Sequence, residues 1–177
     1  VVLLRNQSNE RYAQPLTNIV YMGMGEPLLN YKNVLKSVEQ ITSPEGLNMS
    51  PSRITVSTAG IAKMISKLGD DQVKFNLALS LHAANDEKRN RIMPINEENS
   101  LEALAEAMNH FYDQTGTRVT FEFIVFKDFN DSPQDARELA AYCRKVPSKV
   151  NIIEYNPIDD GEFQQTLQDC LTVFTNI

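Results

Sequence analysis

The 177 residues contain two cysteines, two histidines and no tryptophan. Cys143 and Cys170 are too few for a disulfide framework, so a reducing cytoplasm is the expected setting. Neither Cys-x-x-Cys nor His-x-x-x-His spacing occurs, which excludes an ordinary zinc site and leaves no metal ligands to name. No apolar run approaches the roughly 20 residues of a membrane-spanning helix, so no membrane partner is expected. The opening Val1-Val-Leu-Leu4 has neither the basic stretch nor the cleavage pattern of a secretory leader and reads like the interior of a longer chain. Basic residues are also scarce, with 17 Lys and Arg against 23 Asp and Glu and a net charge of −6. Phosphate neutralisation needs clustered cations, so this chain alone is expected to be a poor RNA binder. Internal repeats, low-complexity tracts and interdomain linkers are missing, and residues 1–177 fit a single domain.

What the chain does have is a regular exchange of two periodicities. Strand-like runs occur at 17–22, 53–58, 75–82, 119–126 and 150–156. Between them, apolar residues recur at helical spacing: Tyr31, Val34, Leu35, Val38 and Ile41; Ile61, Met64, Ile65 and Leu68; Leu101, Leu104, Ala105, Met108 and Tyr112; Ala136, Leu139, Ala140 and Cys143. Phe163, Leu167, Cys170, Leu171 and Phe174 mark a last helix. Gly69 is expected to close the second of these helices, Asn99 with Glu102 resembles a capping box for the third, and Ser132-Pro133 opens the fourth.

Alternating strand and helix imply a parallel sheet. In the third strand Phe75, Leu77, Leu79 and Leu81 point one way, while Asn76, Ala78, Ser80 and His82 point the other. Thr55 with Ser57, Thr120 with Glu122, and Glu154 with Asn156 repeat that polar face. A sheet covered by helices on both sides would be apolar on both. The predicted fold is therefore α/β, a partial or open parallel (β/α) barrel of about five units whose polar interior opens into a site at the C-terminal ends of its strands.

That end carries the candidate site residues. Gly23-Met-Gly-Glu-Pro27 follows the first strand, so Gly25 bares the backbone and Glu26 sets one carboxylate beside it, suited to an ammonium group. Ser57 and Thr58 precede Ala59-Gly60 at a strand-to-helix junction, where backbone N–H groups can receive an anion or the hydroxyls can cap a helix. His82 ends the third strand as either a ligand-binding or a buried structural histidine. Asn156 before Pro157 either starts a turn or offers its amide to a purine edge. Glu122 and Glu154 are mid-strand carboxylates that need a partner, such as Arg53, Arg89, Arg91 or a ligand. Both cysteines fall on apolar stripes and are expected to be buried, far apart and structural.

Six segments occur in an order and spacing that resembles the radical-SAM adenine-C2 methyltransferases, the RlmN/Cfr family: Gly23-Met-Gly-Glu-Pro27, Ile54-Thr-Val-Ser-Thr-Ala-Gly60, Leu79-Ser-Leu-His-Ala83, Arg91-Ile-Met-Pro-Ile-Asn96, Phe121-Glu-Phe123 and Val150-Asn-Ile-Ile-Glu-Tyr-Asn-Pro157. The resemblance implies S-adenosylmethionine binding by Gly25, Glu26, Ser57, Ser80, Leu81, His82 and Asn156. It also implies a [4Fe–4S] cluster, an electron donor such as flavodoxin or ferredoxin, and methylation of adenine C2 in 23S rRNA and tRNA. In that chemistry a methylated protein cysteine carries the methyl carbon, which a 5′-deoxyadenosyl radical activates. The family's cluster-binding Cys-x-x-x-Cys-x-x-Cys loop lies upstream of the Gly–Glu–Pro turn, and its methyl-carrying cysteine lies beyond the last barrel helix. These 177 residues are thus expected to be an inactive barrel core with no catalytic residue of their own. Three readings stand beside this one: another radical-SAM enzyme, a barrel hydrolase or lyase using Glu26, Glu122 and Glu154 as acid and base, and a non-catalytic nucleotide-binding segment.

Overall fold

Runs of β-branched and aromatic residues alternating with amphipathic stripes leave the chain one way to bury both, a sheet with helices laid across one face. The computed structural model describes residues 1–159 and 161–176. Its strands are β1 (Ile19–Tyr21), β2 (Ile54–Thr58), β3 (Asn76–Ser80), β4 (Val119–Val125) and β5 (Ser148–Glu154). They form one parallel sheet in the order β1-β2-β3-β4-β5. Strand order that never reverses is the winding of a barrel, whereas a doubly wound sheet has a switch point. Among the described residues β1 and β5 pair only with β2 and β4, so the barrel is open.

The helices are α1 (Val2–Tyr12), α2 (Tyr31–Thr42), α3 (Ala62–Asp70), α4 (Asp86–Ile92), α5 (Leu101–Thr115), α6 (Pro133–Lys145) and α7 (Gln168–Thr175). Strand parity decides what they cover. Phe121 on β4 packs its ring 5.5 Å from Tyr142 of α6, and Phe123 lies 5.6 Å from Phe174 of α7. Together with Ile54, Val56, Leu77 and Leu79 these residues form the core between sheet and helices. The alternate residues face the open side. In register across the sheet they read Ser57–Ala78–Thr120 and then, one pleat nearer the C-terminal ends, Ser80–Glu122–Asn151.

Several local expectations change. Gly69 lies inside α3, where an added Cβ would come within 3.0 Å of the Phe111 Cα, so it permits close approach of α3 and α5. Ser100 caps α5 by accepting from the Ala103 N–H at 3.3 Å. Asn99 instead reaches back to α3, its Oδ1 accepting from the Ala62 N–H at 2.9 Å. Ser132 does cap α6, in a reciprocal box with Asp135. Phe163 lies before α7 and packs against Phe126 and Phe129 with centroids at 4.4 and 5.2 Å. Helices α1 and α4 had no counterpart in the sequence reading, because α1 buries no residue and α4 is a short, charged run. No helix among the described residues is long and apolar enough to cross a membrane.

Candidate functional site

Strand β1 ends in the Gly23–Pro27 turn, and Gly25 adopts φ of 91°, a left-handed conformation suited to glycine. An added Cβ at Gly23 or Gly25 would meet no atom within 4 Å, so this backbone is bare and approachable. The turn delivers Glu26 to the end of β2. There its Oε1 accepts from the Leu28 N–H and the Thr58 hydroxyl, both at 2.9 Å, and its Oε2 accepts from the Ala59 N–H at 2.7 Å. A carboxylate offers about four acceptor positions, so Glu26 is fixed by the protein and still able to accept from a ligand. Thr58 is itself oriented, since its oxygen accepts from the Gly60 N–H at 3.0 Å.

Beside this bolt lies a cleft of 180 Å³ lined by Gly25, Glu26, Ser57, Thr58, Ala59 and Ser80, among others. Four of the expected site residues, Gly25, Glu26, Ser57 and Ser80, therefore meet at the C-terminal ends of β1, β2 and β3. The structure does not bring the other three into the cleft. The Leu81 side chain is fully buried, and its N–H donates to the Glu122 carbonyl at 3.0 Å. His82 has φ of 54°, and its Nδ1 accepts from the Ile124 N–H at 3.1 Å, which leaves the ring proton on Nε2. Burial, and to a lesser degree the Arg89 charge, lower its pKa to about 4, so the ring is neutral at pH 7 and ties β3 to β4. Asn156 is exposed and lies two residues past the end of β5.

Sequence reasoning missed what lies beneath the cleft. Arg89, in the polar run that forms α4, is 0% exposed. Its guanidinium donates to the carbonyls of Ala59 (2.6 Å), Ser80 (3.1 Å) and Leu81 (3.2 Å) and to Asn96 Oδ1 (2.6 Å). One side chain thus gathers the ends of β2 and β3, the segments that present Ala59, Ser57 and Ser80. Burial lowers its pKa to about 10, so it remains charged at pH 7. Among the described residues its link to a carboxylate is indirect, through the Asn96 amide to Asp86 Oδ1 at 2.8 Å. Asn130, also fully buried, accepts from the Phe126 N–H at 2.6 Å and donates to the carbonyls of His82 and Ile124. The sequence offers Arg89 as a partner for Glu122 or Glu154, and nothing local in its charged run marks it as buried.

Of the partners expected for the mid-strand carboxylates, an arginine or a ligand, no arginine is bonded to either among the described residues. Glu122 accepts from the Asn151 amide at 2.7 Å, and Glu154 from the Gln165 amide at 2.6 Å. The cleft lining includes Glu26 and neither of these. The cysteines also differ from expectation. Cys143 is half-buried and Cys170 is exposed. Among the described residues no group of three His, Cys, Asp or Glu side chains is arranged to hold a metal ion.

The geometry defines the class, an open parallel (β/α) barrel segment with its cleft at the C-terminal ends of the strands. A solved radical SAM methyltransferase from Sphaerobacter thermophilus superposes with a TM-score of 0.94 at 36% identity, covering 99% of this chain and 51% of that one. In sequence the chain is 60% identical over all 177 residues to a protein of Cytophaga hutchinsonii described as probable dual-specificity RNA methyltransferase RlmN, and covers 48% of it. It is 55% identical over the same length to the protein so described in Christiangramia forsetii, covering 50% of that relative. By sequence and fold the chain is a homologue of the RlmN radical-SAM RNA methyltransferases, and it spans about half the length of the curated relatives it matches. No family model matches it.

Proposed function

We propose that this chain is the S-adenosylmethionine-binding barrel of a radical-SAM enzyme that methylates C2 of adenine in 23S rRNA and tRNA. The observation that supports it is the meeting of Gly25, Glu26, Ser57 and Ser80 in one strand-end cleft, within a sequence homologous throughout to RlmN proteins. The donor set fits the cofactor's amino-acid end. Bare backbone at Gly23–Gly25 admits a close ligand, Glu26 accepts from its ammonium, and the serine hydroxyls serve its carboxylate. The buried Arg89 cation beneath Ala59 and Ser80 favours an anionic group above it. S-adenosylmethionine, when bound, supplies the methyl carbon. The described residues do not fit a [4Fe–4S] cluster, since Cys143 and Cys170 lie on α6 and α7, outside the cleft. The proposed electron donor, flavodoxin or ferredoxin, and the RNA substrates belong to the chemistry of the whole enzyme.

Titration of the chain with S-adenosylhomocysteine by calorimetry tests the binding step. Saturable binding that weakens by about tenfold or more in Glu26→Ala is expected, because a hydrogen bond to a charged group is worth about 1.5–3 kcal/mol. Equal affinity of both proteins would remove Glu26 from the ligand site. For the full-length enzyme, mass spectrometry of its RNA should show 2-methyladenosine, and a product methylated elsewhere would overturn the assigned position.

A further inference from the structure

The cleft bounded by Glu26 and Ser80 is only 180 Å³, below the roughly 300–1,000 Å³ usual for small-molecule sites. A ligand seated there must continue along the open face of the sheet. In that direction the fully buried Ala78 stands between Ser57 and Thr120 in register. One pleat nearer the mouth, the next side chain after Ser80 on the same face is Glu122. Its orientation follows from strand parity, since the flanking Phe121 and Phe123 are in ring contact with α6 and α7.

Glu122 is 8% exposed, and among the described residues its carboxylate accepts a hydrogen bond from a single donor, the neutral Asn151 amide, on Oε2. A carboxylate so deeply set is rarely left with one neutral partner, and the other oxygen retains its acceptor positions. The spacing of adjacent strands is about 4.8 Å, which sets Glu122 about two strands, or 10 Å, from the β2 end where Glu26 is bonded. A ligand held by its amino-acid end at Glu26 therefore presents its nucleoside to Glu122. Vicinal hydroxyls match what this carboxylate lacks, two short donors on one side.

We propose that Glu122 is a further binding residue, accepting hydrogen bonds from the ribose hydroxyls of an adenosine-type ligand. This rests on the cofactor reading above, and the test separates the two. Affinities of wild type, Glu122→Gln and Glu122→Asp for S-adenosylhomocysteine and for its 2′-deoxy and 3′-deoxy forms are measured by calorimetry, with thermal unfolding confirming that each variant is folded. The expected result is a loss of about tenfold or more in Glu122→Gln for the parent ligand, partial retention in Glu122→Asp, and little further loss in Glu122→Gln when a hydroxyl is removed from the ligand. Equal penalties for ribosyl and deoxyribosyl ligands, or wild-type affinity in Glu122→Gln, would overturn the assignment while leaving the cofactor reading intact. Failure of the wild-type chain to bind S-adenosylhomocysteine would reject both.

Discussion

Replacing Arg89 by methionine should cost the fold about 4 kcal/mol, and the reason lies in what remains behind. The guanidinium serves four acceptors: the carbonyls of Ala59, Ser80 and Leu81 and the side-chain oxygen of Asn96. Methionine fills much of the same volume and offers no donor. Exchanging a whole buried ion pair for apolar residues is often neutral, but here only the donor leaves and the acceptors stay. An orphaned buried polar group costs about 1–3 kcal/mol. If two of the four find no water, the loss is about 2–6 kcal/mol. That is a large share of the roughly 5–15 kcal/mol that holds a domain together. With a urea slope of about 1–3 kcal/mol per molar, the unfolding midpoint should drop by about 2 M. Far-UV circular dichroism follows the transition, since the chain lacks tryptophan. Arg89→Lys separates charge from geometry. Its ammonium is a point donor and cannot span carbonyls on two strands and a side chain on a turn, so it should recover less than half of the loss. A methionine variant within about 1 kcal/mol of wild type, or complete rescue by lysine, would refute the idea that the forked donor set organises the strand ends.

Acid should weaken the fold through His82. The unfolded ring titrates at 6.5 and the folded one at about 4, so the unfolded state binds more protons between these values and stability falls as pH drops through that window. The total is about 3 kcal/mol, and His82→Gln should flatten this part of the stability–pH curve; an unchanged slope would count against the buried neutral ring. Maleimide at neutral pH should label exposed Cys170 before Cys143, whose half-burial raises its thiol pKa; peptide mapping that finds Cys143 modified first would contradict this packing. Ser132→Ala removes a reciprocal cap on α6 and should cost about 1 kcal/mol in urea unfolding, with no change expected in ligand affinity.

The sheet was legible because its signal is local. Phe75, Leu77, Leu79 and Leu81 alternate with Asn76, Ala78 and Ser80, and that alternation alone states that one face is packed and the other open. The barrel mouth was legible in part: Gly-Met-Gly-Glu after an apolar run marks a bare strand-end turn with one carboxylate beside it, whether that turn only joins strand to helix or also holds a ligand. What failed depended on partners far away in the chain. Asn99 reads as the cap of the helix that follows it, yet it bonds to Ala62, 37 residues earlier. Gly69 reads as a helix terminator until the Phe111 backbone is known to lie against it. Arg89 is the extreme case. Its partners lie 7 to 30 residues away, on two strand ends and a turn, and only the assembled fold removes it from water.

The same distinction bears on how Glu26 is understood. From the sequence its two roles compete, since a carboxylate in a strand-to-helix turn is either a cap or a ligand group. The geometry removes that competition. Donors from Leu28, Thr58 and Ala59 fix both oxygens, so the side chain does cap the short turn at Pro27–Asn30 and joins β1 to β2. A fixed carboxylate has little rotamer entropy left to lose when a ligand arrives, and preorganisation of that kind is what makes a binding group effective. Arg89 acts one layer below on the same elements, holding the carbonyl of Ala59 while Glu26 holds its N–H. The strand ends are thus clamped from the cleft side by an anion and from the core side by a cation, and the groups offered to a ligand lie between the two.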